Sequence, residues 1–356
     1  MKLFVDSGAF SAWQIGKRSI DLHAYCNFII QNKQQITCYA NLDVIAPGDP
    51  EYAAKAGFDN LLYMRSKGLD PIPVFHVRED LDWLKRMLDL GCTYIGLSAT
   101  SIDSKTAVDD WYELAWSLLV DRQGAPLVKV HAFGEGRPSV MTRFPWHSVD
   151  SSTWLNSQRY GLFFHSSGRR LKHTTKAYVE SRIAQDIGSL DSVENAAFEV
   201  DLDKLNIDKT MFDDRKSRES WIARTLLTAD WFHELENKIR AKLPIRYTSR
   251  GLLTGANQPA IRENAFPDEF NLYLAAVPNY SILPCLNYVK HECILASYYY
   301  LRPHHMRQFK EYSTNPEAVL ARKPFLHHNS LLNNVTHQRK QQCNQQNSEI
   351  FWPLSI

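Results

Sequence analysis

The stretch "VDSGAFSAW", Val5 to Trp13, ends the apolar run Leu3, Phe4, Val5 with an acid, a hydroxyl and a glycine. A short apolar run closed by turn-forming polar residues reads as a buried strand that feeds a loop. The pattern recurs. Leu3 to Val5 precedes an amphipathic segment from Leu22 to Ile30, Ile36 to Val44 precedes Tyr52 to Met64, and Ile72 to Val77 precedes Leu81 to Leu90. Tyr94 to Leu97, a helix over about Val108 to Val120, Leu127 to Phe133, a turn at Gly134 to Pro138, Ser148 to Trp154 and Gly161 to His165 continue it. Six or seven βα units at this spacing favour a parallel sheet, either a closed barrel or a doubly wound open sheet.

The residues that close the runs separate these two. In a barrel the carboxyl ends of all strands open onto one mouth, so chemistry gathers there from many strands. Here Asp6-Ser7-Gly8, Asn41 and Asp43, His76, Ser98, His131 with Gly134-Glu135-Gly136, and Asp150 each close an apolar run. No Gly-x-Gly-x-x-Gly turn follows the first strand, and no Gly-x-x-x-x-Gly-Lys loop occurs, which weighs against an open sheet built around a nucleotide cofactor. The expected architecture is α/β, a (β/α)8 TIM-type barrel over residues 1–210. A mostly helical extension over 211–325, including a long helix from Ser220 to Leu243, packs on the barrel. A polar, Asn- and Gln-rich tail covers 326–356.

Composition sets the outer limits. The 356 residues are 44% hydrophobic and 12% aromatic, enough for one large core with an appendage. Lys and Arg (41) nearly balance Asp and Glu (39), so the net charge of +2 neither demands nor excludes a polyanionic partner. Six cysteines, no apolar signal region after Met1 and no apolar run of about 18 residues read as a reduced chain of the cytoplasm.

Three carboxylates stand out among the strand ends: Asp6, Asp43 and Asp150. Acids converging in one mouth suit glycosyl chemistry, because one carboxylate attacks or stabilises the anomeric carbon while another manages the leaving group's proton. Metal binding is the rival use, as a barrel hydrolase with His76, His131 and Asp150. The two histidines lie on different strands, however, and no His-x-His pair follows the first one.

"DSGAF" at Asp6 to Phe10, "NLDV" at Asn41 to Val44, "YIGLSA" at Tyr94 to Ala99, "VHAFGEG" at Val130 to Gly136 and "SVDSSTW" at Ser148 to Trp154 together resemble the ordered motifs of the tRNA-guanine transglycosylase superfamily. They are most similar to its phage and bacterial DNA branch, the 7-deazaguanine DNA transglycosylases, over roughly residues 1 to 170. The resemblance implies a barrel that exchanges a purine base without cutting the nucleic-acid backbone. It implies that Asp6 is the general acid and base at the leaving base, with Ser7 and Gly8 in the turn beside it. Asp43 would hydrogen-bond the guanine-like base, backbone groups of Gly96, Leu97 and Ser98 would read its exocyclic oxygen, and His131 and Gly134 would line its pocket. Asp150 would be the nucleophile that forms a covalent ester with the sugar.

The departures matter as well. Ala9 and Ser11 stand where the tRNA enzymes have Gly and Gln, and the zinc cluster of those enzymes is not reproduced. Cys285, His291 and Cys293 with His304 or His305 could form a tetrahedral zinc site, but core cysteines and surface histidines are the preferred reading and no cofactor is expected. "SGRRLKH", Ser167 to His173, places Arg169, Arg170 and Lys172 after the presumed seventh strand, where they could hold phosphates; Lys176, Arg182 and the arginines of "IRYTSRG" add to the basic surface. The expected partners are DNA, a 7-deazaguanine base and a protein that opens the duplex, with no membrane. A tRNA-guanine transglycosylase is the alternative within the same chemistry, and the metal-dependent hydrolase the alternative from another class.

Overall fold

Asp21, Asp49 and Asp80 each stand one residue before a helix, and each side chain accepts from a backbone N–H of the first turn, at 2.8, 3.0 and 2.8 Å. Satisfying those otherwise unpaired donors starts the helices Leu22–Asn32, Pro50–Ser66 and Leu81–Asp89 where they start. The second and third each follow a strand, while Leu22–Asn32 follows the first strand after a short helix, Ala9–Gly16. The computed structural model describes residues 1–16, 19–99, 105–155, 160–174, 184–248, 269–276 and 283–314. Its strands are β1 (Lys2–Asp6), β2 (Cys38–Tyr39), β3 (Val74–His76), β4 (Tyr94–Ser98), β5 (Lys129–Phe133), β6 (Ser148–Ser151), β7 (Leu162–Phe164), β8 (Arg170–Lys172), β9 (Gln185–Asp186), β10 (Asn271–Ala275) and β11 (Cys293–Ser297).

Eight of these form one parallel sheet in the order β2-β1-β11-β10-β6-β5-β4-β3. The sheet curls. A parallel bridge between Ala40 and Ile72 brings its two ends together, with Asn41 N–H donating to Ile72 C=O at 2.7 Å and Ile72 N–H to Tyr39 C=O at 2.9 Å. The architecture is α/β and compatible with a TIM-type barrel.

Alternation along the strands sorts their side chains into two layers, because successive residues point to opposite faces. Phe4, Ala40, Ile72, Val74, Tyr273, Ala275, Cys293 and Leu295 form one buried cluster, with Cys38, Tyr94 and Phe133 against it. Leu3, Val5, Phe75, Ile95, Leu97, Val130, Ala132, Val149, Leu272, Leu274 and Ile294 belong to another, which meets the helices. The first cluster fills the concave side of the curl. Gly96 makes room for it: a Cβ there would clash with the edge of the Phe133 ring. Gly96→Ala is therefore expected to cost about 1–3 kcal/mol in urea unfolding, and Phe133→Leu to recover much of that loss in the double variant. Simple addition of the two single effects would mean that the ring is not what excludes the methyl group.

Two differences from the sequence reading concern the later strands. The presumed seventh strand forms as β7, but it pairs antiparallel with β8 in a separate three-stranded sheet, β7-β8-β9. Its place in the main sheet is taken by β10 and β11, from the region read as a helical extension. The boundary at residue 210 thus does not coincide with the edge of the main sheet. The reason is burial on both faces: every residue of β10 and of β11 is buried, so neither shows the polar alternation that marks a strand. The long helix forms as Arg218–Arg240 and lies between the sheets, where Trp231 stacks on Phe164 of β7 at 4.3 Å. Residues 326–356, Lys176, Arg182 and Arg250 lie outside the described residues. No described helix is long and apolar enough to cross a membrane.

Candidate active site at the carboxyl ends of the strands

The alternation that buries Phe4 on the concave side puts Asp6, two residues on, in the same phase at the end of β1. His76 on β3, Ser98 on β4, Phe133 on β5, Asp150 on β6 and Ser297 on β11 share that phase. Asp6 is aligned with Ser297 in the ladder. Apart from Phe133, these residues form the polar top of an apolar interior.

Asp6 lies in the electrostatic field of both other acids. Burial, then the charge of Asp43, then that of Asp150 push its carboxyl up to about 8, against the pull of the Gly8 and Ser7 backbone. Gly8 N–H donates to its Oδ2 at 3.1 Å. A carboxyl held this way keeps its proton at neutral pH and can donate it.

Asp43 is held differently. Its Oδ1 accepts from Ser7 Oγ at 2.7 Å, and its Oδ2 lies 3.1 Å from His76 Nε2. Burial works against charging His76, but the hydrogen bond and charge of Asp43, helped by Glu79 and Asp6, outweigh it and raise the imidazole's pKa. Asp43 thereby favours the protonated form of His76. Glu79 caps the strand end by accepting from His76 N–H at 2.9 Å, and burial pushes its carboxyl up to about 7.

Asp150 is set by two donors on one oxygen. Gly134 N–H reaches Oδ1 at 2.8 Å, and His131 Nε2 lies 3.3 Å from the same atom. Burial lowers the pKa of His131 despite its neighbour, so the ring is neutral. Its other nitrogen, Nδ1, is 2.5 Å from Ser148 Oγ, which in turn is 2.5 Å from Tyr94 OH. With Nε2 donating to Asp150, Nδ1 must accept from Ser148, and Ser148 from Tyr94. This chain of donors holds Asp150 still, and no described residue donates to its Oδ2.

The sequence-predicted residues are therefore divided. Asp6, Ser7, Asp43, His131, Gly134 and Asp150 come together, while Glu135 is drawn away by Arg137, 2.8 Å distant. Gly8 has φ +79°, and a Cβ there would meet Ser297 and Tyr299, so the glycine serves the packing of the strand ends. Gly96 N–H donates to Pro73 C=O at 2.8 Å, and Leu97 sits in the ladder between Phe75 and Ala132 with its side chain in the outer layer. The peptide groups of these two are thus committed to the sheet, and Ser98 alone of the three carries a side chain to the mouth. His76, Glu79, Ser148 and Tyr94 were not assigned roles in base exchange from sequence. The signal for His76 and Ser148 was their strand phase, which matches that of Asp150.

The basic residues lie on the small sheet. Arg169 pairs with Glu194, Arg170 lies over the Phe164 ring at 5.2 Å, and Lys172 is aligned with Asp186. At Arg169 and Arg170 a phosphate would have to compete with these internal partners, while the Asp186 carboxylate beside Lys172 is bonded to Arg215. In the other basic stretch Tyr247 is buried and donates to Glu113 Oε2 at 2.6 Å. Cys285 and Cys293 are buried free thiols and do not join His291 in a ligand cluster. Neither do His76, His131 and Asp150, whose short contacts are the separate pairs His76–Asp43 and His131–Asp150.

No protein-family model, curated protein or solved structure matches the chain. Fold and site define a parallel α/β protein with a cluster of three aspartates, Asp150 buried and Asp6 and Asp43 half-buried, at the carboxyl ends of its strands.

Proposed function

We propose that this chain is a (β/α)8 enzyme that exchanges guanine in DNA for a 7-deazaguanine, such as the 7-cyano form, through a covalent aspartyl-sugar intermediate. The observation that carries the reading is the unequal treatment of three neighbouring acids: Asp6 keeps a proton, Asp43 is paired with His76, and Asp150 is fixed with one oxygen unused. A carboxyl that keeps its proton, beside a second acid with an oxygen left free to attack, is what displacement at an anomeric carbon requires.

In the first step Asp150 Oδ2 forms a bond to C1′ as the bond from C1′ to the guanine nitrogen breaks, and Asp6 gives its proton to the departing ring nitrogen. In the second step the ionised Asp6 takes the ring N–H proton of the incoming 7-deazaguanine. That nitrogen then attacks C1′ and the ester to Asp150 breaks. Two displacements retain the configuration at C1′. The glycosidic bond inside a duplex is covered by stacking, so the substrate is a flipped or single-stranded nucleotide, presented with the help of a partner that opens DNA.

The test offers labelled 7-cyano-7-deazaguanine with equal amounts of bulk tRNA and plasmid DNA, the latter both as duplex and as heat-denatured strands. The label is expected in DNA. Incorporation into tRNA alone would move the reading to a tRNA-guanine transglycosylase and leave the roles of the three acids in place. Incorporation into neither polymer would remove base exchange altogether.

A further inference from the structure

At the opposite end of the strands from Asp6 and Asp150, the long helix Arg218–Arg240 carries His233 and Glu236, three residues apart on one face, toward His291 in the turn just before β11. One donor atom from each, imidazole or carboxylate, lies within 4.8 Å of the others. Proximity of such groups is common and proves little by itself. The hydrogen bonds around them say more.

His291 is buried, and its Nε2 lies 2.9 Å from Leu272 C=O and 3.1 Å from Cys293 C=O. Two carbonyl oxygens only accept, so Nε2 must carry the proton. Nδ1 is then turned toward Glu236 Oε2 at 3.6 Å, beyond hydrogen-bond reach, and has no hydrogen-bond partner. His233 Nδ1 is a second buried nitrogen without one. Glu236, also buried, uses its other oxygen to accept from Leu272 N–H at 2.8 Å and from Arg240 Nη2 at 3.0 Å, which fixes the carboxylate and leaves Oε2 facing the two imidazoles. Buried polar atoms are rarely left unpaired, and two in one small cluster, facing a carboxylate oxygen, call for a shared occupant.

We propose that His233, Glu236 and His291 bind a zinc ion, through Nδ1 of each histidine and Oε2 of the glutamate. Two imidazoles and one carboxylate form a known zinc ligand set that leaves a fourth position for water. The backbone carbonyls on His291 Nε2 are the outer partners a metal-bound histidine ordinarily has, since they orient the ring and fix which nitrogen is free. Zinc bonds of about 2.0–2.1 Å in a tetrahedron place ligand atoms roughly 3.4 Å apart, close to the 3.6 Å already present between His291 and Glu236. His233 is the least buried of the three and closes the remaining distance by turning inward. With zinc on Nδ1, His233 Nε2 carries the proton; Asn237 Nδ2 lies 3.2 Å from it, and turning that side-chain amide over brings its oxygen there to accept. The ion would tie the long helix to the amino ends of β10 and β11, the two strands that join β6 to β1. This inference does not depend on the proposed base exchange.

The test uses the full-length protein, stripped with chelator and dialysed against zinc, with metal content measured by elemental analysis and unfolding followed by circular dichroism. One zinc per chain and a raised unfolding temperature are expected, and His233→Ala should weaken binding by more than about a hundredfold while the metal-free forms melt alike. Cys285→Ser should retain full zinc content. Cobalt in place of zinc should give a spectrum without thiolate charge-transfer bands. A wild-type chain that takes up no zinc, or zinc that survives His233→Ala or leaves with Cys285→Ser, would overturn the assignment.

Discussion

Replacing Asp150 with Asn is expected to lower release of labelled guanine from DNA by on the order of a thousandfold or more, with base binding largely retained. The amide keeps the size of the carboxylate, so the contacts from Gly134 N–H and His131 can survive through its oxygen. What disappears is the negative oxygen that would bond to C1′. His131→Ala should produce a smaller loss, because it frees the carboxylate without removing it. Near-normal turnover in Asp150→Asn would end the assignment of Asp150 as nucleophile. Loss of base binding together with turnover would show instead that the residue holds the pocket's shape.

Asp6→Asn is expected to reduce turnover by about 10²–10⁴-fold, the usual worth of a positioned proton donor, since an amide has the form of the protonated acid but no proton to give. The same substitution has a second, opposite consequence for stability. The carboxyl titrates near 8 in the folded chain and near 3.8 when unfolded, so between those values the folded state binds more protons. Stability supplied by this group is therefore complete below about pH 4 and is lost as pH rises toward 8, by about 1.4 kcal/mol per pH unit within the window. Asn cannot ionise and escapes that loss. The variant should accordingly gain on the wild type between pH 5 and 8 in urea unfolding, while Glu79, which titrates in both proteins, cancels in the comparison. Parallel stability curves for the two proteins would show that Asp6 is not held protonated, and the acid role would fall with that result.

Much of the candidate site was legible because its residues sit where strands end. Asp6, Asp43, His131 and Asp150 each close an apolar run, and a parallel sheet brings such ends to one side whatever lies between them. The roles of their neighbours were less visible. Ser148 looks like an ordinary strand residue, and only its contact with His131 reveals that it decides which imidazole nitrogen faces Asp150. Gly96 could be read as a place for a ligand, and proves to accommodate Phe133. Arg169 and Arg170 read as free charge until Glu194 and the Phe164 ring are found against them.

The sequence by itself determined the class of the fold and the first six strands, because each strand–helix unit is a local pattern that repeats with caps and turns at fixed places. It also determined that acids would crowd one end of the sheet. Only the tertiary structure decided which strands complete the curl. β7 has the right spacing but pairs antiparallel with β8, whereas β10 and β11, buried on both sides and distant in sequence, run beside β6 and β1. It also decided the protonation of Asp6. A carboxyl's charge depends on what surrounds it in space, and Asp6, Asp43 and Asp150 come from strands up to 144 positions apart in the chain.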